Sequence, residues 1–267
     1  MRPPADAVET EGSGPDLVLV HGTGMDGASL SPLARLLGGR LRVTRYDRRG
    51  TPRWPGPRES VPSSAEEHAA DLADLVTDLA TDLVPGPSGR GPVHLFGVSF
   101  GGVVALELAR RRPELVRSAT LFEPAVAGDG EVPAAAAALL ATFTHWISRG
   151  EPERAAELFH RRVLSEALWR RLSPQAQARA RGLWRHIHGD LVATVAYRVA
   201  HAELCALDVQ VLLLRGGRSH TAFEAPVRAL AAALPRARRG TIESAGHQTF
   251  GSAWKELAET LAGFTLG

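Results

Sequence analysis

The stretch VHLFGVSFGG, residues 93–102, decides the fold of this chain. Residues 93–98 are apolar apart from His94 and predict a buried strand, and residues 102–112 predict a helix. Ser99 therefore falls in a tight strand-to-helix turn, where glycines at 97 and 101 give the strained backbone small neighbours. The helix N-terminus adds amide donors and a positive dipole beside the hydroxyl. This context predicts a nucleophilic serine, and a glycine-rich turn with an incidental serine is the alternative.

Strand-like apolar runs alternate with helix-length segments on both sides of this turn. Further strands are predicted at residues 17–20, 41–46, 115–122, 209–214 and 238–242. Helices are predicted at residues 29–37, from residue 63 or 64 to about 83, at residues 225–234 and from about residue 252. This alternation is typical of an α/β fold with a mostly parallel sheet flanked by helices.

Strand signal is lost between residues 128 and 204, where the sequence is rich in Ala, Arg and Leu. This segment predicts several helices with breaks near Gly150, Ser173-Pro174 and Gly189. We therefore expect a core of residues 1–127 and 205–267, with residues 128–204 inserted as an all-helical cap. Because the insertion lies between two strands, it is expected over their carboxyl ends, where open α/β sheets bind ligands.

The composition narrows the class of protein further. The 267 residues are 44% hydrophobic with a formal net charge of +2, which fits a globular domain with one core. The arginines are scattered without a basic stripe, so no nucleic-acid partner is expected. No apolar run reaches bilayer length and residues 1–14 lack the features of a secretory signal, so no membrane contact and a cytoplasmic location are expected. The single cysteine, Cys205, is expected to be a buried structural thiol, and no feature indicates the oligomeric state.

Four landmarks together resemble the α/β-hydrolase superfamily over nearly all of the chain outside the insertion. Residues 21–24, HGTG, resemble the loop that follows the third strand of that family. Residues 46–50, YDRRG, resemble the turn after its fourth strand, and residues 97–102 resemble its nucleophile elbow. Residues 245–247, AGH, resemble its histidine loop. The chain order, with the nucleophile first and the histidine near the end, agrees with the family. The sheet of that family starts with antiparallel strands, and because only about sixteen residues precede the first clear strand, the resemblance implies a single one here.

The resemblance implies that His247 is the base that accepts the proton of Ser99, because a serine hydroxyl needs such a base. His21 is the second candidate, although the family uses that histidine to support the oxyanion loop. His94 lies inside a predicted strand and is expected to be packed or hydrogen-bonded. The other candidates lie in the insertion: His145, His160, His186, His188 and His201. The His186-x-His188 pair lacks further ligands at metal spacing, so no zinc site is expected.

The acid that orients the base departs from the common family pattern. Most members carry a Gly-x-x-Asp stretch after the penultimate strand, and here residues 216–219 read GGRS. Some relatives place the acid at the end of the preceding strand, where this chain has Glu123. A carboxylate that ends a buried strand needs a partner. Glu123 is therefore the expected acid, with Glu224 and Asp47 as the alternatives.

The family also implies the groups that stabilise charge and contact substrate. One oxyanion-hole N–H is expected from Phe100 and the other from Thr23, with Gly24 next to it at the substrate. Glycines at 22 and 24 let the backbone approach a ligand closely. Among the aromatic residues of the insertion, Trp146 and Trp184 are expected to contact a bulky apolar substrate.

These residues predict a serine hydrolase that cleaves an ester or thioester of a small, largely apolar metabolite through an acyl-enzyme on Ser99. No cofactor and no metal are expected, and the only partner indicated is a small-molecule substrate. One alternative is a lyase, cyclase or C–C bond-cleaving enzyme of specialised metabolism that uses the same pocket. The other is a non-catalytic small-molecule receptor, which is favoured by serine at position 219.

Overall fold

Strands and helices alternate along the chain in the computed structural model, which describes residues 1–56, 64–81, 91–126, 134–164, 166–234, 236–247 and 251–267. The strands in these ranges are β1 (Val8–Glu11), β2 (Asp16–Val20), β3 (Arg42–Tyr46), β4 (Val93–Val98), β5 (Val116–Phe122), β6 (Gln210–Gly216) and β7 (Arg238–Ile242). They form one seven-stranded sheet in the order β1-β3-β2-β4-β5-β6-β7. β1 pairs with β3 antiparallel, and every other pairing in the sheet is parallel. The predicted fold class and the single antiparallel strand at the start are confirmed.

The helices are α1 (Ser31–Leu37), α2 (Ala65–Thr81), α3 (Phe100–Arg111), α4 (Ala134–Ser148), α5 (Pro152–Leu164), α6 (Glu166–Arg171), α7 (Pro174–Gly182), α8 (Trp184–Ala196), α9 (His201–Cys205), α10 (Glu224–Ala233) and α11 (Trp254–Leu266). The helix predicted from residue 102 begins two residues earlier, directly after Ser99. Residues 63, 82 and 83, at the predicted ends of α2, lie outside the described residues. The break predicted near Gly189 is wrong, because α8 continues through this buried glycine. Packing of α8 against α4 and α5 outweighs the cost of about 1 kcal/mol that glycine brings to a helix interior.

The central parallel strands β2, β4 and β5 are buried on both faces by helices, whereas the edge strand β7 is largely exposed. Along β2, Val18 and Val20 join the apolar cluster under α2, α3 and α10, while Leu17 and Leu19 join the cluster under α1 and α11. Successive side chains of a strand point to opposite faces, so two helical layers require an apolar residue at nearly every position. This explains why β2 and β4 appear in the sequence as continuous apolar runs.

Between β5 and β6 the described residues form helices α4 to α9, here called the helical insertion. It has an apolar cluster of its own, which includes Phe143, Phe159 and Ile187. Its last part instead joins the cluster under α2, α3 and α10, where the hydroxyl of Tyr197 donates to Glu107 Oε2 at 2.9 Å. The insertion is therefore attached to the sheet layers at its C-terminal end. The predicted division between residues 127 and 128 lies outside the described residues.

Cys205 is exposed at the end of α9, so its prediction as a buried thiol is wrong. The neighbouring Leu204 is the buried residue of this short helix, and the cysteine lies on its solvent side. Within the described ranges, no helix has the length and apolar character that a bilayer crossing requires.

Candidate active site

Ser99 lies between β4 and α3 with φ 51°, a backbone conformation that residues other than glycine rarely adopt. Its amide donates to the carbonyl of Phe122 at 2.9 Å, which holds the turn against the end of β5. A Cβ atom at Gly97 would overlap the carbonyl of Gly101, and one at Gly101 would overlap the carbonyl of Val20. The glycines on both sides of the serine are therefore required by close backbone approach.

Glu123 follows β5 and lies close to this turn. With Ser99 it is one of two residues other than glycine in the described chain with positive φ, at 43°. Its side chain is fully buried, and its Oε1 accepts the amide of Gly216 at 2.8 Å. Its Oε2 lies 2.6 Å from Nδ1 of His247, which follows β7. Strained backbone concentrates at functional sites, and here it points a buried carboxylate at a histidine.

His247 is held from a second side by an aromatic ring. The ring of Phe223 stacks on its imidazole with centroids 3.8 Å apart and planes inclined by 14°. The histidine keeps 13% of its side chain exposed, whereas the carboxylate behind it has none. Phe223 was not among the residues singled out in the sequence, because a phenylalanine near the start of a helix carries no motif.

The alternative acids are engaged elsewhere. Glu224 forms an ion pair with Arg215 at a half-exposed position. Asp47 is buried, and it accepts two hydrogen bonds from Arg53, at 2.9 and 3.0 Å. Among the three candidates from the sequence, the structure brings Glu123 to the histidine.

In the loop after β6, Ser219 occupies the position where the sequence resemblance led us to expect an acid. The Ser219 hydroxyl is buried and forms no hydrogen bond with any part of the chain that the structure describes. It lies against Gly216, where a Cβ atom would be 2.6 Å from its Oγ. The usual acid position is thus occupied by a small neutral group, close to the backbone that binds Glu123.

The loop after β2 reaches the same edge of the sheet. A Cβ atom at Gly22 would lie 2.9 Å from the carbonyl oxygen of Val98 and 3.3 Å from Cβ of Ser99. Thr23 is the next residue and is buried, and Phe100 follows the serine with its ring buried beneath the turn. The two segments expected to donate N–H groups to an oxyanion therefore lie beside the serine.

The insertion covers this loop with α5. Gly24 has φ 72°, and a Cβ atom there would lie 2.8 Å from Cε1 of Phe159 and 2.9 Å from Cε1 of His160. Burial lowers the pKa of His160 to about 4, so the imidazole is neutral. An apolar ring and a neutral imidazole therefore lie directly over the loop.

Trp146 and Trp184, predicted to contact substrate, both pack against the insertion's own apolar cluster. The guanidinium of Arg154 lies 3.9 Å from the ring centroid of Trp146, and that of Arg185 lies 4.4 Å from Trp184. Their described contacts are structural and lie within the insertion.

His21, the second candidate for the base, is already bonded through both ring nitrogens. The amide of Arg48 donates to its Nε2 at 2.9 Å, so the ring proton lies on Nδ1, 3.1 Å from the carbonyl oxygen of Gly22. Burial lowers the pKa of His21 well below its ordinary value. His94 likewise contacts Ser118, with Nδ1 2.7 Å from the hydroxyl. Both histidines stabilise the fold locally.

The serine turn, the glutamate, the histidine and the glycine loop all lie at the carboxyl ends of parallel strands, as ligand sites of open α/β sheets do. A family model described as "Alpha/beta hydrolase family" matches residues 17–260. The chain belongs to the alpha/beta hydrolase family.

Individual members of the family are similar over nearly the whole chain. A pimeloyl-[acyl-carrier protein] methyl ester esterase of Aeromonas hydrophila is 30% identical over 97% of this chain and 98% of its own length. An alpha/beta hydrolase of Sphaerobacter thermophilus superposes with a TM-score of 0.76 at 25% identity, over 98% of both chains. The enol-lactonase of Burkholderia xenovorans superposes with a TM-score of 0.75 at 20% identity, over 97% of this chain and 96% of its own. The family model and the Aeromonas relative confirm the predicted family and the prediction of a hydrolase, and the structural similarity to the enol-lactonase confirms the fold.

Proposed function

We propose that this hydrolase cleaves an ester or thioester of a small, largely apolar metabolite through an acyl-enzyme on Ser99. The observation that carries the proposal is the 2.6 Å contact between His247 Nδ1 and Glu123 Oε2, at the edge of the sheet where the serine turn lies. A serine hydroxyl becomes an effective nucleophile when a base stands beside it. A buried carboxylate makes histidine such a base, because it fixes the tautomer and stabilises the imidazolium.

The steps follow from this arrangement. His247 donates Nδ1–H to Glu123, which leaves Nε2 to accept the proton of Ser99 as its oxygen bonds to the substrate carbonyl carbon. The negative charge that forms on the carbonyl oxygen is stabilised by the N–H groups of Phe100 and Thr23. The tetrahedral intermediate expels the alcohol or thiol, which takes the proton from the imidazolium. Water then attacks the acyl-enzyme by the same route and releases the carboxylic acid.

We also propose that residues 128–204 act as a cap over a core of residues 1–127 and 205–267. Support comes from α5, whose Phe159 and His160 lie against Gly24 of the proposed oxyanion loop. The apolar ring of Phe159 and the neutral imidazole of His160 over this loop favour an apolar acyl group. The Aeromonas relative is by its name an esterase of a methyl ester, which supports an ester as the substrate class. The substrate contacts of Trp146 and Trp184 stay predictions.

The nucleophile is tested with a serine-directed fluorophosphonate probe followed by intact mass measurement. Wild type is expected to gain the mass of one phosphonyl group, and Ser99→Ala is expected to gain none. Ser219→Ala is the matched control, because it removes another buried hydroxyl at the same edge of the sheet; it is expected to label as wild type does.

Turnover is then measured on p-nitrophenyl esters and acyl thioesters of increasing chain length. Hydrolysis by wild type and none by Ser99→Ala is the expected result. A wild type that resists labelling contradicts the activated serine and favours a receptor. Labelling of Ser99 with no turnover of any ester or thioester contradicts hydrolysis and favours lyase or C–C cleavage chemistry in the same pocket.

A further inference from the structure

A buried ion pair joins the helical insertion to the loop after β3. The guanidinium of Arg48 donates to both carboxylate oxygens of Asp190 on α8, at 2.8 and 2.6 Å. The two side chains are 0% and 1% exposed. Removing one partner of such a pair leaves an uncompensated buried charge, which costs free energy of folding. Separation of the two side chains is therefore strongly unfavourable. The pair therefore fixes the position of α8 relative to this loop.

Arg48 also contacts both segments that carry the proposed oxyanion donors. Its Nε donates to the carbonyl of His21 at 3.0 Å, and its backbone amide donates to Nε2 of the same residue at 2.9 Å. His21 stands two residues before Thr23 in the glycine loop. The guanidinium of Arg48 also lies over the ring of Phe100, 5.1 Å from its centroid. One side chain thus links the two donor segments to each other and to the insertion.

Two histidines contact the guanidinium of Arg48, and a third packs beside them. Nε2 of His68 lies 3.4 Å from one of its terminal nitrogens, and Nε2 of His186 lies 3.2 Å from the other. The ring of His186 also packs against that of His21, with centroids 5.2 Å apart. Burial lowers the pKa of each of these histidines, so they are neutral beside one arginine and one aspartate. The cluster is therefore suited to holding positions and not to transferring protons.

We propose that Asp190 is a positioning residue for catalysis: through Arg48 it holds the loop of Thr23 and the turn of Phe100 at the separation that the oxyanion requires. The inference rests on the function proposed above. An oxyanion hole acts only when its donors are fixed before the charge forms, and small displacements cost large factors in rate. Docking of the insertion then sets the rate of the chemical step as well as the shape of the pocket.

The test is Asp190→Asn, which keeps the size of the side chain and removes its charge. For an ester that wild type hydrolyses, kcat is expected to fall about 10- to 100-fold, because the oxyanion donors are displaced and not deleted. KM is expected to stay within about twofold, since both side chains are buried and not exposed to contact a substrate. The affinity for a trifluoromethyl ketone, which forms an oxyanion on Ser99, is expected to fall with kcat.

The matched control is the neighbouring pair of Arg49 and Asp71. It is also buried, with Nε–Oδ2 at 2.8 Å and a terminal nitrogen to Oδ1 at 3.0 Å, but it joins the same loop to α2. Asp71→Asn is expected to lower the melting temperature as Asp190→Asn does, with kcat within about twofold of wild type at temperatures where both are folded.

The outcomes separate cleanly. An Asp190→Asn variant with wild-type kcat, or with raised KM and unchanged kcat, overturns the inference, and so does an equal loss of kcat in Asp71→Asn. If Asp190→Asn does not fold, Arg48→Lys is tested by the same criteria. This variant keeps the positive charge but cannot form the two parallel hydrogen bonds to Asp190. A wild type that turns over no ester defeats the proposed function and this inference together, whereas an active wild type with an unaffected Asp190→Asn defeats the inference alone.

Discussion

Two buried carboxylates each join distant parts of this chain, and their partners differ in kind. Glu123 contacts His247 across 124 residues, and Asp190 contacts Arg48 across 142 residues. Both carboxylates are inaccessible to solvent. The histidine keeps 13% of its side chain exposed at the sheet edge, while the arginine keeps none.

The difference shows that the partner decides the role of a buried carboxylate. Imidazole gains and loses a proton near neutral pH, so a carboxylate beside it can respond when charge forms in a reaction. Guanidinium stays protonated, so a carboxylate bonded to it remains one half of a permanent ion pair. Glu123 is accordingly suited to chemistry, and Asp190 is suited to holding two segments together.

Replacing Glu123 by Gln has the largest expected effect. The variant keeps the shape of the side chain and an oxygen for the amide of Gly216, but it cannot stabilise a charged imidazole. We expect kcat/KM for an ester to fall about 10³- to 10⁴-fold, as the loss of a triad acid does elsewhere, with a melting temperature close to that of wild type. Turnover within tenfold of wild type would show that Glu123 does not stabilise a charged imidazole and would remove the contrast between the two carboxylates.

A carboxylate moved from position 123 to position 219 tests whether catalysis needs a carboxylate at one particular position or only a carboxylate near His247. The hydroxyl of Ser219 is buried, has no hydrogen-bond partner among the described residues, and lies in the loop where most of the family carries aspartate. In a Glu123→Ala background, Ser219→Asp is expected to recover about tenfold or more in kcat/KM, because it returns a carboxylate to the site beside Gly216, whose amide binds Glu123. Ser219→Asn in the same background is the uncharged control and should recover nothing. Recovery by both variants would contradict a role for charge.

Acid pH is expected to affect the Asp190 region through its histidines. Burial lowers the folded-state pKa of His186 to about 4 from its ordinary value of 6.5. The unfolded chain therefore takes up a proton near pH 6.5 while the folded chain does not, so stability is lost as pH falls from about 6.5 to about 4. For this residue alone the loss is about 2–3 kcal/mol by pH 4.5. Urea unfolding at several pH values in wild type and His186→Gln measures it.

The expected result is a shallower fall of unfolding free energy with decreasing pH in His186→Gln than in wild type. His201→Gln is the control, because His201 is an exposed residue at the start of α9 and should leave the slope unchanged. Equal slopes in all three proteins would show that the histidines around Arg48 take up protons in the folded state as easily as in the unfolded chain.

The smallest effect is expected from Glu224→Gln. Its carboxylate lies near the site, but it is half-exposed and paired with Arg215. Loss of this pair should change kcat/KM by less than about twofold and stability by about 0–1 kcal/mol, which is typical of exposed ion pairs. A fall in kcat/KM comparable to that of Glu123→Gln would assign the role of the acid to Glu224. Glu123 would then no longer be the carboxylate that acts in the reaction.

The sequence alone determined the parts of this protein that depend on local backbone geometry and periodicity. The apolar run of β4 and the glycines around Ser99 predicted the strand, the turn and the helix. The turn leaves no room for a side chain at positions 97 and 101. The serine at position 219 in place of an acid directed attention to Glu123, and the structure brings that residue to His247. The strand β7 was predicted to the residue, whereas helix ends shifted by one or two residues.

The tertiary structure decided what depends on contacts between distant segments. Nothing near Asp190 in the sequence indicates that it bonds to Arg48, since the two are brought together only when the insertion folds back over the sheet. The stacking of Phe223 on His247 is hidden for the same reason. The errors at Gly189 and Cys205 arose because packing against neighbouring helices decides whether a glycine breaks a helix and on which side a thiol lies. Local geometry can be predicted from adjacent residues, but long-range pairing requires the fold.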